Sequence, residues 1–341
     1  MKNFTYYQPT SLQGVLKVLD EAGGKAEILA GGTDLLDRMK EYVAQPEKVI
    51  SVVGFSGPFK EISAMAGNPP TVTIGAGVKL VNIAESELLR PYPALTSAAA
   101  QIAGPQIRNM GTLGGSLCQR NRCWYFRDEH VQCLLKGGRR CFAHDGENQY
   151  HAIFTQGHPC VIVHPSTLAP PLMVLGATCE IRSQKGQRQI PIEQLFQAPV
   201  KDGQREHTLA PNELLVSVTV APKIPPGATF RNASYEVKQK ETSDWPIVQA
   251  SVSYYTEARG NVAHGVRIAL GHVAPTPLLS PSAAKVLEGQ EVNEKTASAA
   301  AEAAVEGARP LSQNAYKVQQ LKVAVRRAIL LASGAKPYWE G

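Results

Sequence analysis

GPQIRNMGTLGGSLCQRNRCWYFRD, residues 104–128 of a 341-residue chain, sets two kinds of chemistry side by side. Its first half closes on a glycine-rich turn, Gly111-Thr112-Leu113-Gly114-Gly115-Ser116. Its second half opens a window of cysteines flanked by arginines and aromatic rings. A turn of this composition lets backbone N–H groups gather and lets a diphosphate approach where a Cβ would otherwise stand, and the Thr and Ser hydroxyls add donors. An upstream stretch, AEILAGGTDLLDRMK, repeats the idea. A short apolar strand over residues 27–30 runs into a Gly31-Gly32 turn, and a helix opens near Thr33. Neither turn is the G-x-G-x-x-G of a Rossmann dinucleotide site.

Working outward, strands and helices alternate with glycines at several junctions. TSLQGVLKVLDEAGG reads as a capped amphipathic helix with Leu12, Val15, Leu16 and Leu19 on one face and Gly23-Gly24 as its stop. TVTIGAGVKL alternates in strand fashion, and VIVHPSTLAPPLMVLGATCEIRS reads as strand, helix, strand. The Pro- and Gly-rich APKIPPGATF is the expected domain boundary. It divides an N-terminal domain over 1–222 from a smaller α+β domain over 226–341. In the latter, three strands precede Ala-rich helices at about 292–307 and 315–333. The segment from about 118 to 160 interrupts the alternation and reads as an insertion.

Five of the six cysteines fall in one window. Four residues separate Cys118 from Cys123, nine separate Cys123 from Cys133, seven separate Cys133 from Cys141, and eighteen separate Cys141 from Cys160. A chain long enough to bury a full core has little need of disulfide staples, so clustering of this kind favours a metal site. Paired C-x-x-C knuckles of structural zinc and the C-x-x-C runs of bacterial ferredoxins are both absent. The pattern therefore leaves zinc and an iron–sulfur cluster open. Arg120, Arg122, Arg127, Lys136, Arg139 and Arg140 either offset thiolate charge or are solvated loop cations. Trp124, Tyr125 and Phe126 either shield a cluster or anchor the insertion. His144, His151, His158 and His164 are read as ordinary polar residues. The net charge of +6 is scattered rather than gathered, which is weak support for a nucleic-acid partner. Neither a signal peptide nor an apolar run of about 20 residues is apparent.

In order, LAGGTDLL, GPQIRNMGTLGGSLCQRNRCWYFRD, RRCFAHDGENQYHAIF and HPSTLAPPLMVLGA resemble the FAD-binding subunit of the xanthine dehydrogenase family of molybdenum hydroxylases. The nearest variant is the one with an inserted [4Fe-4S] loop, as in 4-hydroxybenzoyl-CoA reductase and molybdenum aldehyde oxidoreductases. The resemblance covers essentially the whole chain. It implies an α+β fold, with a two-part FAD-binding domain of the PCMH type and a C-terminal domain of the CO dehydrogenase flavoprotein type. It also implies that Ala30, Gly31, Gly32, Thr33, Asp34 and Leu35 meet the FAD diphosphate, joined by Thr112, Gly114, Gly115 and Ser116 of the second turn. The cluster ligands map to Cys123, Cys133, Cys141 and Cys160, with Cys118 a spare.

Two positions depart from the family pattern. Thr167 ends an HPST motif where Asp is usual. A lysine expected near the flavin falls at Glu236 in SYEVKQKETSDWP, with Lys238 and Lys240 nearby, and Lys238 is carried as a flavin contact. The function implied is electron transfer without a catalytic acid, base or nucleophile of the chain's own. Electrons would come from a molybdenum-cofactor-binding large subunit and a [2Fe-2S] small subunit of a heterotrimer, and leave to an external acceptor. The complex would be cytoplasmic, or periplasmic if exported with a partner. The alternatives are a free-standing FAD-dependent oxidase and a zinc-stabilised nucleic-acid-binding module.

Overall fold

A computed structural model describes residues 1–240 and 244–334. Glu241, Thr242 and Ser243 of SYEVKQKETSDWP and the last seven residues of the expected C-terminal domain lie outside the described residues.

The chain opens with β1 (Thr5–Tyr7), α1 (Leu12–Ala22), β2 (Ala26–Leu29), α2 (Leu35–Lys40) and β3 (Lys48–Ser51). The α1 helix starts where the Ser11 hydroxyl accepts from the Gly14 amide and ends at Gly23 in the left-handed region, as a Ser cap and a glycine stop dictate. Its Val15, Leu16 and Leu19 are buried. The three strands form a parallel sheet in the order β1-β3-β2. At the C-terminal end of β2 lies the Gly31-Gly32 turn.

A second, five-stranded antiparallel sheet follows. It is built from β4 (Ile62–Met65), β5 (Thr71–Gly75), and, after a helical passage, β6 (Thr178–Ser183), β7 (Gly186–Pro191) and β8 (Leu214–Val220), in the order β4-β5-β8-β6-β7. The helical passage comprises α3 (Leu80–Glu85), α4 (Pro93–Gln101), α5 (Pro105–Met110), α6 (Leu113–Cys118), α7 (Trp124–Arg127) and α8 (Ala169–Val174). Both sheets and the buried faces of α1, α3 and α4 share one core, in which Ile50, Ile74, Leu95 and Val218 are fully enclosed.

The third layer is a four-stranded antiparallel sheet, β12-β11-β10-β9, of β9 (Thr229–Lys238), β10 (Pro246–Thr256), β11 (His264–Gly271) and β12 (Leu278–Leu279). It is covered by α9 (Pro281–Leu287), α10 (Glu294–Ala304) and α11 (Tyr316–Ala332). The α10 helix begins with a reciprocal capping box between Asn293 and Thr296. Small alanines on its inner face let it pack closely on α11. Asn232 of β9 ties this layer to the first core, accepting from the Ala94 amide at 2.9 Å and donating to the Pro91 carbonyl at 3.1 Å.

One expected strand is absent. VIVHP, residues 161–165, belongs to no sheet, although it is apolar and extended. Its backbone instead engages neighbouring loops. The Val161 carbonyl accepts from Ala152, and the His164 amide donates to the Ala274 carbonyl. The insertion also docks on the third layer: the Ile153 and Phe154 amides both donate to the Val273 carbonyl, and both side chains join the C-terminal core. Among the described residues no helix is long and apolar enough to cross a membrane.

Candidate cofactor sites

A cleft of about 640 Å3 opens between the two glycine turns, a size suited to a cofactor. Ala30, Gly31, Gly32, Thr33, Asp34 and Leu35 line it from one side, Thr112, Gly114, Gly115 and Ser116 from another, and Thr167 from behind. The turns touch each other. A Cβ on Gly31 would stand 2.0 Å from the Met110 carbonyl oxygen, and one on Gly114 would stand 3.0 Å from the Ala76 Cβ. Gly32 holds φ at +77°, a conformation costly to other L-residues.

The two turns differ in what they offer an anion. In the second, Leu113 donates to Val78, Gly114 to Ala76, Gly115 to the Thr112 hydroxyl and Ser116 to the Thr112 carbonyl. Those amides are spent on the fold, because GTLGGS is the start of α6, capped by Thr112, and not an open loop. The amides of Gly31, Gly32, Thr33 and Asp34 have no acceptor among the described residues. The first turn is therefore the donor array, and the second contributes hydroxyls and Cβ-free surface. The Ser116 hydroxyl lies 3.1 Å from that of Ser166, which links this turn to the HPST motif.

A carboxylate beside a diphosphate would repel it, yet Asp34 is thoroughly neutralised. Arg122 and Arg127 each stand 2.7 Å from Oδ1, and Arg38 stands 3.0 Å from Oδ2. Burial alone would raise its carboxyl, but the three guanidiniums outweigh burial and hold it at about 2. The network extends through Arg38 to Glu27, which also pairs with Arg205 at 2.5 Å. The buried Glu206 anchors the start of the insertion. It accepts from the Asn121 amide and side chain, and its other oxygen lies 2.8 Å from Arg120. Three of the six window cations thus bind carboxylates of the N-terminal domain instead of facing sulfur. Arg140 lies over the Phe142 ring, and Lys136 donates to the Asp128 carbonyl.

Lys238 is not on the cleft wall. Its Nζ donates to the Gln101 carbonyl at 2.6 Å and pairs with the buried Glu236 at 3.0 Å. The cleft also has walls that no motif announced: Gln197, Arg205, His207 and Leu209 from the loop before β8, Ala103, and Trp245. The Arg122 guanidinium lies 4.8 Å above the Trp245 ring.

The window cysteines fall into two places. Cys118 ends α6 on the cleft wall, where burial pushes its thiol up to about 12. Cys123, Cys133, Cys141 and Cys160 line a second, separate pocket, walled by Tyr125, Phe126, Leu135, Phe142 and Ile162. Each has the amide two residues further on directed at its sulfur: Tyr125, Leu135, Ala143 and Ile162 respectively. Burial pushes the thiols of Cys123 and Cys133 up, and these donors oppose it. The Cys160 thiol hydrogen-bonds the Cys141 sulfur and holds it below its ordinary value.

The thiols enclose only about 10 Å3. Among the described residues no group of three or more His, Cys, Asp or Glu stands ready to grip a metal ion, so a cluster would have to spread them. His144 and His158 engage backbone carbonyls, and His164 is buried against Phe196. His151 is different, with Nε2 3.2 Å from the Cys123 sulfur.

Comparison with known proteins decides the family. The FAD binding domain in molybdopterin dehydrogenase matches residues 2–223, and the CO dehydrogenase flavoprotein C-terminal domain matches residues 233–332. The chain belongs to the FAD-binding subunits of the xanthine dehydrogenase and CO dehydrogenase family of molybdenum hydroxylases. It is 30% identical to the aldehyde oxidoreductase FAD-binding subunit PaoB of Escherichia coli strain K12 over 323 residues, 93% of this chain and 94% of that one. The carbon monoxide dehydrogenase medium chain of Hydrogenophaga pseudoflava is 27% identical over 96% of each chain. A solved carbon monoxide dehydrogenase from the same organism aligns over 98% of both chains, with a TM-score of 0.74 and 26% identity. Quinoline 2-oxidoreductase from Pseudomonas putida 86 aligns over 98% of this chain and 99% of that one, with the same score and identity. The protein is thus an oxidoreductase subunit, FAD is its cofactor, and the cleft between the glycine turns has the donors and the Cβ-free walls to hold it.

Two outcomes test this geometry. Gly31→Ala forces the turns apart and should weaken FAD at least tenfold, ~1.4 kcal/mol, in a flavin titration of deflavinated protein. Unchanged affinity would separate the turn from the cofactor. Asp34→Asn should cost about 2 kcal/mol in urea unfolding at pH 5 and above, since a carboxyl depressed from 3.8 to about 2 stabilises the fold fully above its unfolded value. As pH falls through the folded value that contribution is lost, so the gap to wild type should shrink to about half by pH 3. A pH-independent gap would contradict the ion cage.

Proposed function

We propose that this chain is the electron-transfer subunit of a heteromeric molybdenum hydroxylase, carrying a [4Fe-4S] cluster in its insertion beside FAD. One observation carries the cluster: four cysteines from four separate stretches line one apolar pocket, each with the amide two residues on aimed at its sulfur. Amide donors of this kind stabilise thiolate and tune a bound cluster. Cys123, Cys133, Cys141 and Cys160 are the ligands. Phe126, Leu135, Phe142 and Ile162 exclude water from them.

Bound FAD supplies the capacity to take up electrons and release them, and that chemistry is the cofactor's own. The chain's part is to hold and insulate. The free amides of Gly31–Asp34 receive the diphosphate, and Thr112 and Ser116 add hydroxyls. Arg38, Arg122 and Arg127 keep the Asp34 charge from opposing it. Thr167, at the end of HPST, is the polar contact toward the flavin in place of a carboxylate. Lys238 sits in an ion pair behind the cleft, and we assign it no direct role.

The partners fit the same reading: a large subunit with the molybdenum cofactor and a small subunit with [2Fe-2S] centres supply electrons, and an external acceptor removes them. This complex acts in the cytoplasm, or in the periplasm if a partner carries the export signal. Support for an aldehyde or heteroaromatic substrate comes from the names of the relatives, an aldehyde oxidoreductase and a quinoline 2-oxidoreductase among them.

Iron, zinc, acid-labile sulfide and flavin should be measured on protein purified without oxygen. About four irons and one FAD per chain are expected. Cys133→Ser and Cys141→Ser should each lose the iron and keep the flavin, while Cys118→Ser should keep both. Flavin with no iron in the wild type, or full iron in both ligand variants, contradicts the assignment.

A further inference from the structure

We infer that His151 donates a hydrogen bond to the sulfur of Cys123 and thereby raises the reduction potential of the metal centre held there, with the C-terminal helix α11 fixing its position. This rests on the cluster reading above and adds to it a residue outside the ligand set.

The imidazole Nε2 lies 3.2 Å from the Cys123 sulfur, within reach of a hydrogen bond to sulfur. His151 is 4% exposed, and its other ring nitrogen, Nδ1, is buried with no hydrogen-bond partner among the described residues. The Asn148 backbone bears on the ring but makes no well-formed hydrogen bond with Nδ1, whereas Nε2 faces the sulfur at hydrogen-bond distance, so the neutral ring carries its proton on Nε2. Trp124 and Tyr125 hold the ring by edge and tilted contacts at 5.3 and 6.3 Å.

Its backbone is held from a different layer of the protein. The His151 carbonyl accepts from the Lys317 Nζ at 3.0 Å and from the Asn314 side chain at 3.1 Å. Lys317 is fully buried and spends its remaining donors on the Tyr150 and His272 carbonyls. A lysine with three carbonyl acceptors and no carboxylate is an expensive group to bury, and what it secures is the segment that carries His151.

An N–H directed at a ligating sulfur withdraws charge from it and favours the reduced, more negative state of an iron–sulfur centre. His151 is therefore a positioning and tuning residue, distinct from the four ligands.

The test uses the full chain, purified without oxygen, in wild type, His151→Phe, which keeps a ring and removes the donor, and His151→Gln, which keeps a donor. Iron content is measured first, then the cluster midpoint by a redox titration followed by electron paramagnetic resonance, with the flavin midpoint as an internal control. The Phe variant should retain iron and show a clearly more negative cluster midpoint. The Gln variant should lie nearer wild type, and the flavin midpoint should not move. Equal midpoints in Phe and wild type, or equal loss of iron from both variants, overturns the inference while leaving the cluster in place. Wild-type protein without iron overturns the cluster reading itself.

Discussion

The Asp34 carboxylate, gripped by Arg38, Arg122 and Arg127, is the constraint on which the rest of the structure depends. It belongs to the turn whose free amides face the FAD cleft, yet two of its three partners belong to the cysteine insertion. Desolvating one carboxylate beside three guanidiniums is eased because Glu27 and Asp37 share the positive charge of Arg38 and Arg127. The result is a fixed distance between the first glycine turn and the first cysteine of the thiol pocket, Cys123, whose amide is itself held by Asn121. The FAD cleft and the thiol pocket, which are separate, share one electrostatic hinge pin.

The opposite flank of the insertion is held by hydrogen bonds instead of charge pairs. Asn148 donates to Ser312 and accepts from the Gln313 amide, Asn314 donates to the His151 and Ala152 carbonyls, and Lys317 closes the set. The C-terminal domain, far from the flavin turns in sequence, thereby shapes the thiol pocket. An insertion anchored at both ends by different layers has little freedom to drift.

Much of this was legible in the sequence, and the gaps have physical causes. Eleven of the twelve residues that the resemblance places at FAD line one cleft; composition alone marked only the two glycine turns. That only the first turn has free amides was not legible: it depends on Ala76 and Val78 offering carbonyls to the second. In sequence the window arginines could be counter-charges to sulfur or solvated loop cations, because their partners, Asp34 and Glu206, lie about 85 to 90 residues away in the chain. VIVHP has the apolar content of a strand, and only tertiary context withheld a sheet from it. Lys238 was assigned by position alone, and its ion pair with Glu236 takes it away from the cleft. The walls from the loop before β8 carry no pattern at all. His151 was indistinguishable from its neighbours until its nitrogen was placed beside Cys123. The family match over nearly the whole chain supports the flavin half of the sequence reading and leaves a nucleic-acid-binding role without support.

Central to the account is that one insertion, pinned at Asp34, brings four particular sulfurs around a metal centre and leaves Cys118 to the flavin cleft. The most direct measurement is an anomalous difference map at the iron absorption edge, from crystals of protein grown without oxygen. The account predicts a single compact iron peak bounded by the sulfurs of Cys123, Cys133, Cys141 and Cys160, with Cys118 outside it. Iron bound through Cys118, or no iron density among those four sulfurs, would contradict it.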